Sequence, residues 1–583
     1  MAYVIPPAIT AGSLVVAYVD LNDIFNRGLA AHRAGQLDIA AALYREVLSH
    51  SKKQFAPLHL LGVIEGQRGN LAEGIRQIDK ALRLEPRSAE AHLNLGRLQG
   101  EAGDLVNAER NLRKAITFGA QNTLAYSNLA AVYRRMKLYD QAKAAADQAL
   151  RIEPNDWMAL INRGNALLAL NLIDEAKADY ERAGTLHSSA VEPWIGLGNI
   201  AHRSRDIKAA VMQVQKALML APNSAEARLL QAEILQTRQL YDEALIAVEQ
   251  AQAILPNLVD AQILHSSILL MMKRYQEAIP ILERIIKANP ETETIRGQLF
   301  LSKMHMCNWE RYAESRASCE RAIQKNPAHA SPYESIAVTQ IPSLQLACAT
   351  EYARRNFRKA TPLWQGESYA HERIRIGYVS PDFREHAVAQ LIAGIFEHHD
   401  KTQFELYAFS TIADQSSLRA RIKLAFDHFI EIDAMSEQEA AQCIRENEID
   451  ILIDLAGHTA YTGLNTFAWR PAPVQATCFP GTTGAPSIDY LIADSTVIPP
   501  DHHEFYSERV AALPHCYLPN DRAREISVRT PTRAEEGLPE KGVVFCGFNA
   551  SFKLTPRIFD VWMRLLQQVE GSVLWLRDGA AEN

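Results

Sequence analysis

The sequence predicts a long array of paired α-helices followed by an α/β region built on parallel strands. Three observations carry this. The first half matches itself at a spacing of 34 residues. In the second half, short β-branched runs alternate with helix-length segments. Helix breakers are few, with 28 Gly and 26 Pro in 583 residues. Apolar residues make up 48% and charged residues 22%, which excludes a largely disordered or collagen-like chain. Basic residues (61) fall short of acidic ones (68), and the net charge of −7 gives no support to a nucleic-acid partner.

Residues 1–20 form an N-terminal extension. No Lys or Arg precedes their apolar stretch, and Pro6–Pro7 interrupts it. A secretory signal needs a basic start, so none is expected. Runs long enough to span a membrane are missing, so no membrane partner is expected. The seven cysteines all lie at or beyond Cys307, and no two form a CxxC pair. That spacing disfavours a disulfide framework or zinc ribbon and fits a reducing, cytoplasmic setting.

Eight 34-residue units begin at 21, 55, 89, 123, 157, 191, 225 and 259 and fill residues 21–292. Position 20 is Ala40, Gly74, Ala108, Ala142, Ala176, Ala210, Ala244 and Ala278. Positions 8 and 27 are also mostly small, as in Gly28, Gly62 and Gly96, and in Ala81, Ala115 and Ala149. Small side chains there let two helices, and the next unit, come close. Pro86, Pro154, Pro222, Pro256 and Pro290 stand at position 32 and stop the second helix. The pattern resembles the tetratricopeptide repeat, whose units stack into a superhelix with a concave groove. Position 6 should line that groove. It is Asn in Asn26, Asn94, Asn128 and Asn162, and Gly196, Leu230 and Leu264 in later units. An amide ladder can hold an extended peptide backbone through its donor and acceptor. A row of ordinary polar surface residues is the alternative.

Residues 293–371 keep a helical character but lose the repeat, and so form a cap and linker. From 372 to 541 the chain reads as strands (RIRIGYVS, FELYAFST, IDILIDLAG, VQATCFP, DYLIADS) separated by helices, hence a parallel sheet. VVFCGFN and SVLWLR begin a further unit in 542–583. Ligands of such sheets bind beyond the carboxyl ends of the strands. Four loops there attract interest. One ends in His386. One carries Gly457, His458 and Thr459. A third spans Phe479–Gly484, where glycines admit a ligand to the backbone. The fourth is FNASFKLTP, in which Thr555 is a good N-cap and Pro556 a good first helical residue, with Lys553 beside a helix N-terminus suited to phosphate. There is no GxxxxGK[ST], strand-linked GxGxxG, HExxH or acidic metal cluster, so no metal is expected.

RIRIGYVSPDFREHAVAQLI, IDILIDLAGHT, RPAPVQATCFPGTTGAPSIDYLIADS and FCGFNASFKLTPRIFDVWMRLLQQVEGSVLWL, behind the repeats, resemble the protein O-GlcNAc transferases and SPINDLY proteins of glycosyltransferase family 41. The resemblance implies a GT-B-type region and an inverting, metal-independent transfer from a nucleotide sugar. The donor would be UDP-GlcNAc, with no further cofactor. The acceptor would be a Ser or Thr of a protein held in the repeat groove. By the same resemblance His386 and His428 are catalytic candidates, and Lys553 contacts the donor diphosphate. Gly481 and Thr482 lie where the loop approaches the transferred sugar. Asn94, Asn128 and Asn162 fall on the peptide ladder, and His458 and Thr459 on an active-site loop. Such proteins are expected to continue past SVLWL, so the second Rossmann-like lobe is expected to be truncated here. Ala550 replaces a usual side-chain amide. Three readings follow: UDP-GlcNAc-dependent protein glycosylation, O-fucosylation from GDP-fucose, and a non-catalytic peptide-binding scaffold. Oligomerisation is compatible with all three.

Overall fold

The computed structural model describes residues 20–577 except 293, 358–359, 460, 480 and 525. Residues 1–19 of the expected N-terminal extension and 578–583 lie outside the described residues. The chain forms two compact units, Met1–Gly196 and Leu197–Asn583.

Each 34-residue unit is a helix pair, from α1 (Leu21–Arg33) and α2 (Leu37–His50) through to α15 (Val259–Met271) and α16 (Tyr275–Ala288). The small residues do what the spacing requires. The position-20 alanines are fully buried, as are most residues at position 27. A Cβ on Gly28 would lie 2.7 Å from the Tyr44 ring, and one on Gly96 2.7 Å from Leu112. The helix–helix contact therefore admits nothing larger than hydrogen at position 8 in these units. Helices end two residues before the position-32 prolines, and Glu85 and Glu153 sit in non-helical conformations, as residues near a proline-terminated end should. Position 15 of every unit turns left-handed. The first three units place Gly35, Gly69 and Gly103 there. The other five use Lys137, Asn171, Arg205, Gln239 and Lys273 at φ of 59 to 61°.

In the second unit, the cap comprises α17 (Ile295–His305), α18 (Tyr312–Lys325), α19 (Pro332–Val338) and α20 (Pro342–Asn356). There follow β1 (Ile374–Ser380), α21 (Ala387–His398), β2 (Phe404–Ser410), α22 (Ser417–Ala425), β3 (His428–Glu431), α23 (Glu437–Glu446), β4 (Ile451–Asp454), β5 (Val474–Thr477), β6 (Tyr490–Asp494) and β7 (Arg509–Leu513). These seven strands form one parallel sheet in the order β3-β2-β1-β4-β5-β6-β7. Both faces are covered. Phe383, Phe396 and Phe426 pack on one, and Ile444, Ile449 and Phe467 on the other, which is the usual state of parallel sheets. The direction of winding reverses between β1 and β4, the switch point at which a crevice opens. A second, two-stranded parallel sheet pairs β8 (Val544–Gly547) with β9 (Val573–Leu576) across α24 (Pro556–Gln568). A helical repeat array followed by a parallel α/β region is thus the architecture.

Candidate functional site

The carboxyl ends of the first sheet and the start of α24 share one cavity with the helical cap, with a volume of about 850 Å3. Among its lining residues are His458, Phe479, Gly481 and Thr482 from the first sheet, Lys553, Thr555 and Arg557 from the second, and Tyr333, Ile336 and Gln345 from the cap. Four sequence-predicted residues, His458, Gly481, Thr482 and Lys553, are therefore brought together.

The loop after β4 is held by Asp454. This fully buried carboxylate accepts from the Gly457 amide at 2.7 Å, the Ala456 amide at 3.2 Å and the Thr477 hydroxyl at 2.8 Å. Burial raises its pKa, and these three donors pull the other way. The loop so fixed presents His458. Its Nε2 lies 2.8 Å from the Thr483 carbonyl, its ring stacks on Phe357 with centroids 6.2 Å apart, and Tyr352 meets it edge-on at 5.1 Å. Burial lowers the His458 pKa, opposed by the bond to Thr483. Thr459 has a different task from the one expected. Its hydroxyl donates to the Ala456 carbonyl at 2.9 Å, within its own turn, so it braces the loop.

The loop after β5 is clamped by Glu508, which is 4% exposed. One of its oxygens accepts from the Thr482 hydroxyl at 2.8 Å, and the other from the Thr483 amide at 2.7 Å and the Thr483 hydroxyl. The Ser507 amide donates to Thr482 Oγ1 at 3.1 Å. The Thr482 hydroxyl thus spends its proton on Glu508 and accepts from Ser507, which corrects the expectation that it binds a donor ligand. Among the described residues Gly481 has no such ties. A Cβ there would lie 3.3 Å from Ile336 and project into the space the cavity needs.

On the second sheet, the expected N-cap forms: Thr555 Oγ1 accepts from the Ile558 amide at 3.4 Å, with Pro556 in the first turn. Lys553 lies two residues before it, in the turn Ser551–Lys553. Lys553 and Arg557 are exposed at the cavity, and neither makes an ion pair among the described residues. Arg557 escaped notice in the sequence, although its place directly after Pro556 was the available signal. The turn is tied to the cap. The Ser551 hydroxyl donates to the His305 carbonyl at 2.8 Å, and the Trp309 indole N–H donates to the Leu554 carbonyl at 3.1 Å. Residues 293–371 are therefore more than a linker, since they supply one wall of the cavity.

His386 caps α21. Its Nδ1 lies 3.3 Å from the Val388 amide and 3.3 Å from the Asp382 carboxylate. Asp382 is 7% exposed. Burial raises its pKa, against the pull of His386 and Arg384. His386 stands at the carboxyl end of β1, on the switch point, but is not among the residues lining the cavity. His428, the second catalytic candidate, is placed elsewhere. His428 is the first residue of β3, in register with Tyr407, which is itself in register with Gly377 in the middle of β1. Its ring stacks on Tyr407 and its Nε2 meets Glu405 at 3.0 Å. It is a surface residue at the amino end of its strand, whereas the loops that could meet a ligand leave from the carboxyl ends.

In the first unit, Asn94, Asn128 and Asn162 are half-buried at matching positions. Asn94 Nδ2 donates to His59 Nε2 at 3.0 Å, and Asn162 Nδ2 donates to the Ser127 carbonyl at 3.2 Å. Two of the three amides thus bridge to the preceding repeat and keep their carbonyl oxygens for another partner. The buried Nδ2 of Asn128 has no partner among the described residues.

Residues 355–528 and 520–581 match Glycosyl transferase family 41, and residues 14–197 and 195–258 match tetratricopeptide-repeat families. Similar curated proteins include the probable UDP-N-acetylglucosamine–peptide N-acetylglucosaminyltransferases SEC and SPINDLY of Arabidopsis thaliana. SEC is 34% identical over 296 residues, covering 46% of this chain and 30% of SEC. SPINDLY is 38% identical over 217 residues, covering 36% of this chain and 23% of SPINDLY. The Caenorhabditis elegans UDP-N-acetylglucosamine–peptide N-acetylglucosaminyltransferase is 22% identical over 401 residues, 46% of this chain and 35% of that protein. The chain thus spans about a third or less of the length of these relatives. No described helix is long and apolar enough to cross a membrane. Behind an array of tetratricopeptide repeats, residues 355–581 carry the match to glycosyl transferase family 41.

Proposed function

We propose that this protein transfers GlcNAc from UDP-GlcNAc to Ser or Thr hydroxyls of proteins held by the repeats. The observation that carries this is the shared cavity, in which a glycine loop from one parallel sheet meets a cationic helix start from another. A volume of this order suits a small-molecule ligand. In the transfer, the acceptor oxygen forms a bond to the anomeric carbon. The bond from that carbon to the β-phosphate oxygen breaks, and UDP departs with the electron pair. Negative charge grows on the diphosphate, where Lys553, Arg557 and the positive end of α24 oppose it. Gly481 leaves room for the sugar. His386 is the candidate to take the acceptor's proton at Nε2, in the tautomer whose Nδ1–H is donated to the Asp382 carboxylate rather than accepting from the Val388 amide. The side-chain carbonyl oxygens of Asn94 and Asn162 and the amide of Asn128 would hold the acceptor backbone.

The names of the relatives favour UDP-GlcNAc over GDP-fucose as the donor. The test is incubation of the purified chain with UDP-GlcNAc and Ser/Thr-containing protein substrates, with the added sugar read by mass spectrometry. Lys553→Ala should lower the rate about 100-fold, roughly 3 kcal/mol of lost charge stabilisation, while leaving the fold intact because Lys553 is exposed. Full transfer by that variant would refute the assignment of Lys553.

A further inference from the structure

His458 has one nitrogen committed and one unspent. A carbonyl oxygen can only accept, so the Nε2 that faces the Thr483 carbonyl at 2.8 Å carries the proton. Nδ1 then holds a lone pair, and among the described residues nothing donates to it. The ring cannot turn to exchange the two atoms without losing the Thr483 bond and its packing against Phe357 and Tyr352. The backbone beneath is fixed as well, through the Asp454 clamp on Gly457. Few groups in the cavity are so rigidly set and so incompletely used.

The chemistry of this atom selects its ligand. Burial disfavours the imidazolium form, so the ring offers a phosphate no charge and no proton on the free side. A lone pair would repel a phosphate oxygen and attract an O–H. The phosphate-compatible groups of the same cavity include Lys553, Arg557 and the α24 N-terminus, whereas Arg316 is engaged by the Val338 carbonyl and Glu320. The neighbouring uncharged ligand group rich in hydroxyls is the sugar. We infer that His458 Nδ1 accepts a hydrogen bond from a hydroxyl of the transferred sugar and so helps the cavity select a sugar nucleotide over the free nucleotide. This rests on the reading of the cavity as the donor site.

Two near-isosteric replacements separate the nitrogens. His458→Gln carries its amide toward Thr483 and leaves nothing at the Nδ1 position. His458→Asn places an acceptor oxygen near that position. Calorimetric titration of the full chain with UDP-GlcNAc and with UDP reads the outcome. The Gln variant should lose about tenfold in affinity for UDP-GlcNAc with UDP binding unchanged, and the Asn variant should stay within about threefold of the unaltered chain for both. Equal weakening of both ligands by the Gln variant would make His458 a loop brace and overturn the inference, as would no change in either. Failure of the unaltered chain to bind either ligand would overturn the donor-site reading itself, and this role with it.

Discussion

The two parallel sheets of the second unit face one cavity but are built differently. β1 buries five consecutive residues, and helices cover both faces of its sheet. In β9 no residue is fully buried, and the same holds for the whole of α24. The first sheet is held by its own core. The second is held from outside, by Trp309 and Ser551 across to the cap and by ring contacts of Trp309 with Phe559 and His305 with Phe552. The lesson is that Gly481 and His458 stand on a self-supporting frame, whereas Lys553 and Arg557 are placed by the helical cap.

The sharpest test of this contrast is Gly484→Ala. Gly484 has φ +65°, and a Cβ there would lie 2.3 Å from the Ala349 backbone. Two fixed backbones cannot part cheaply, so the loop after β5 should be destabilised by about 4 kcal/mol. Chemical denaturation should show the loss in the first sheet. A smaller and more local effect is expected for Trp309→Ala, which removes both the indole donor and its aromatic contact. Amide exchange in 544–576 should quicken about 30- to 100-fold, for about 2–3 kcal/mol, while 374–513 keeps its protection. Equal quickening in both regions would break the distinction. The smallest effect belongs to Gly571→Ala. Its φ is +68°, but nothing stands within 4 Å of the added carbon. Only the left-handed backbone penalises it, by about 1 kcal/mol, read as a modest gain in exchange near β9.

The same contrast explains what was legible in the sequence. The repeats announced themselves because burial leaves no choice at Ala108 or Ala142, and a 34-residue period repeats that constraint eight times. The left-handed turns at Lys137 and Arg205 were silent, because the residue types there do not advertise the conformation. Strands with a buried run, such as β1 and β4, were plain. β3 and β7, which are short and have no fully buried residue, were not among the strands read from the sequence. In the site, Lys553 and Thr555 were readable from local helix-start chemistry, and His458 from its place after a strand. The Thr482–Glu508 clamp joins residues 26 apart, and the cap wall at Tyr333 and Ile336 lies more than a hundred residues from the loops it faces. No local pattern encodes such partners. His428 misled for a related reason: its motif was visible, but the end of the strand it occupies was not.

The central claim is that the cavity holds a nucleotide sugar, and the most direct measurement is the thermal shift of the purified chain with UDP, UDP-GlcNAc, GDP and GDP-fucose. A ligand at 100 times its Kd stabilises by about 2.7 kcal/mol. Shifts with UDP and UDP-GlcNAc that vanish in Lys553→Ala, with none from the guanosine ligands, are the predicted result. No shift with either uridine ligand would contradict the account.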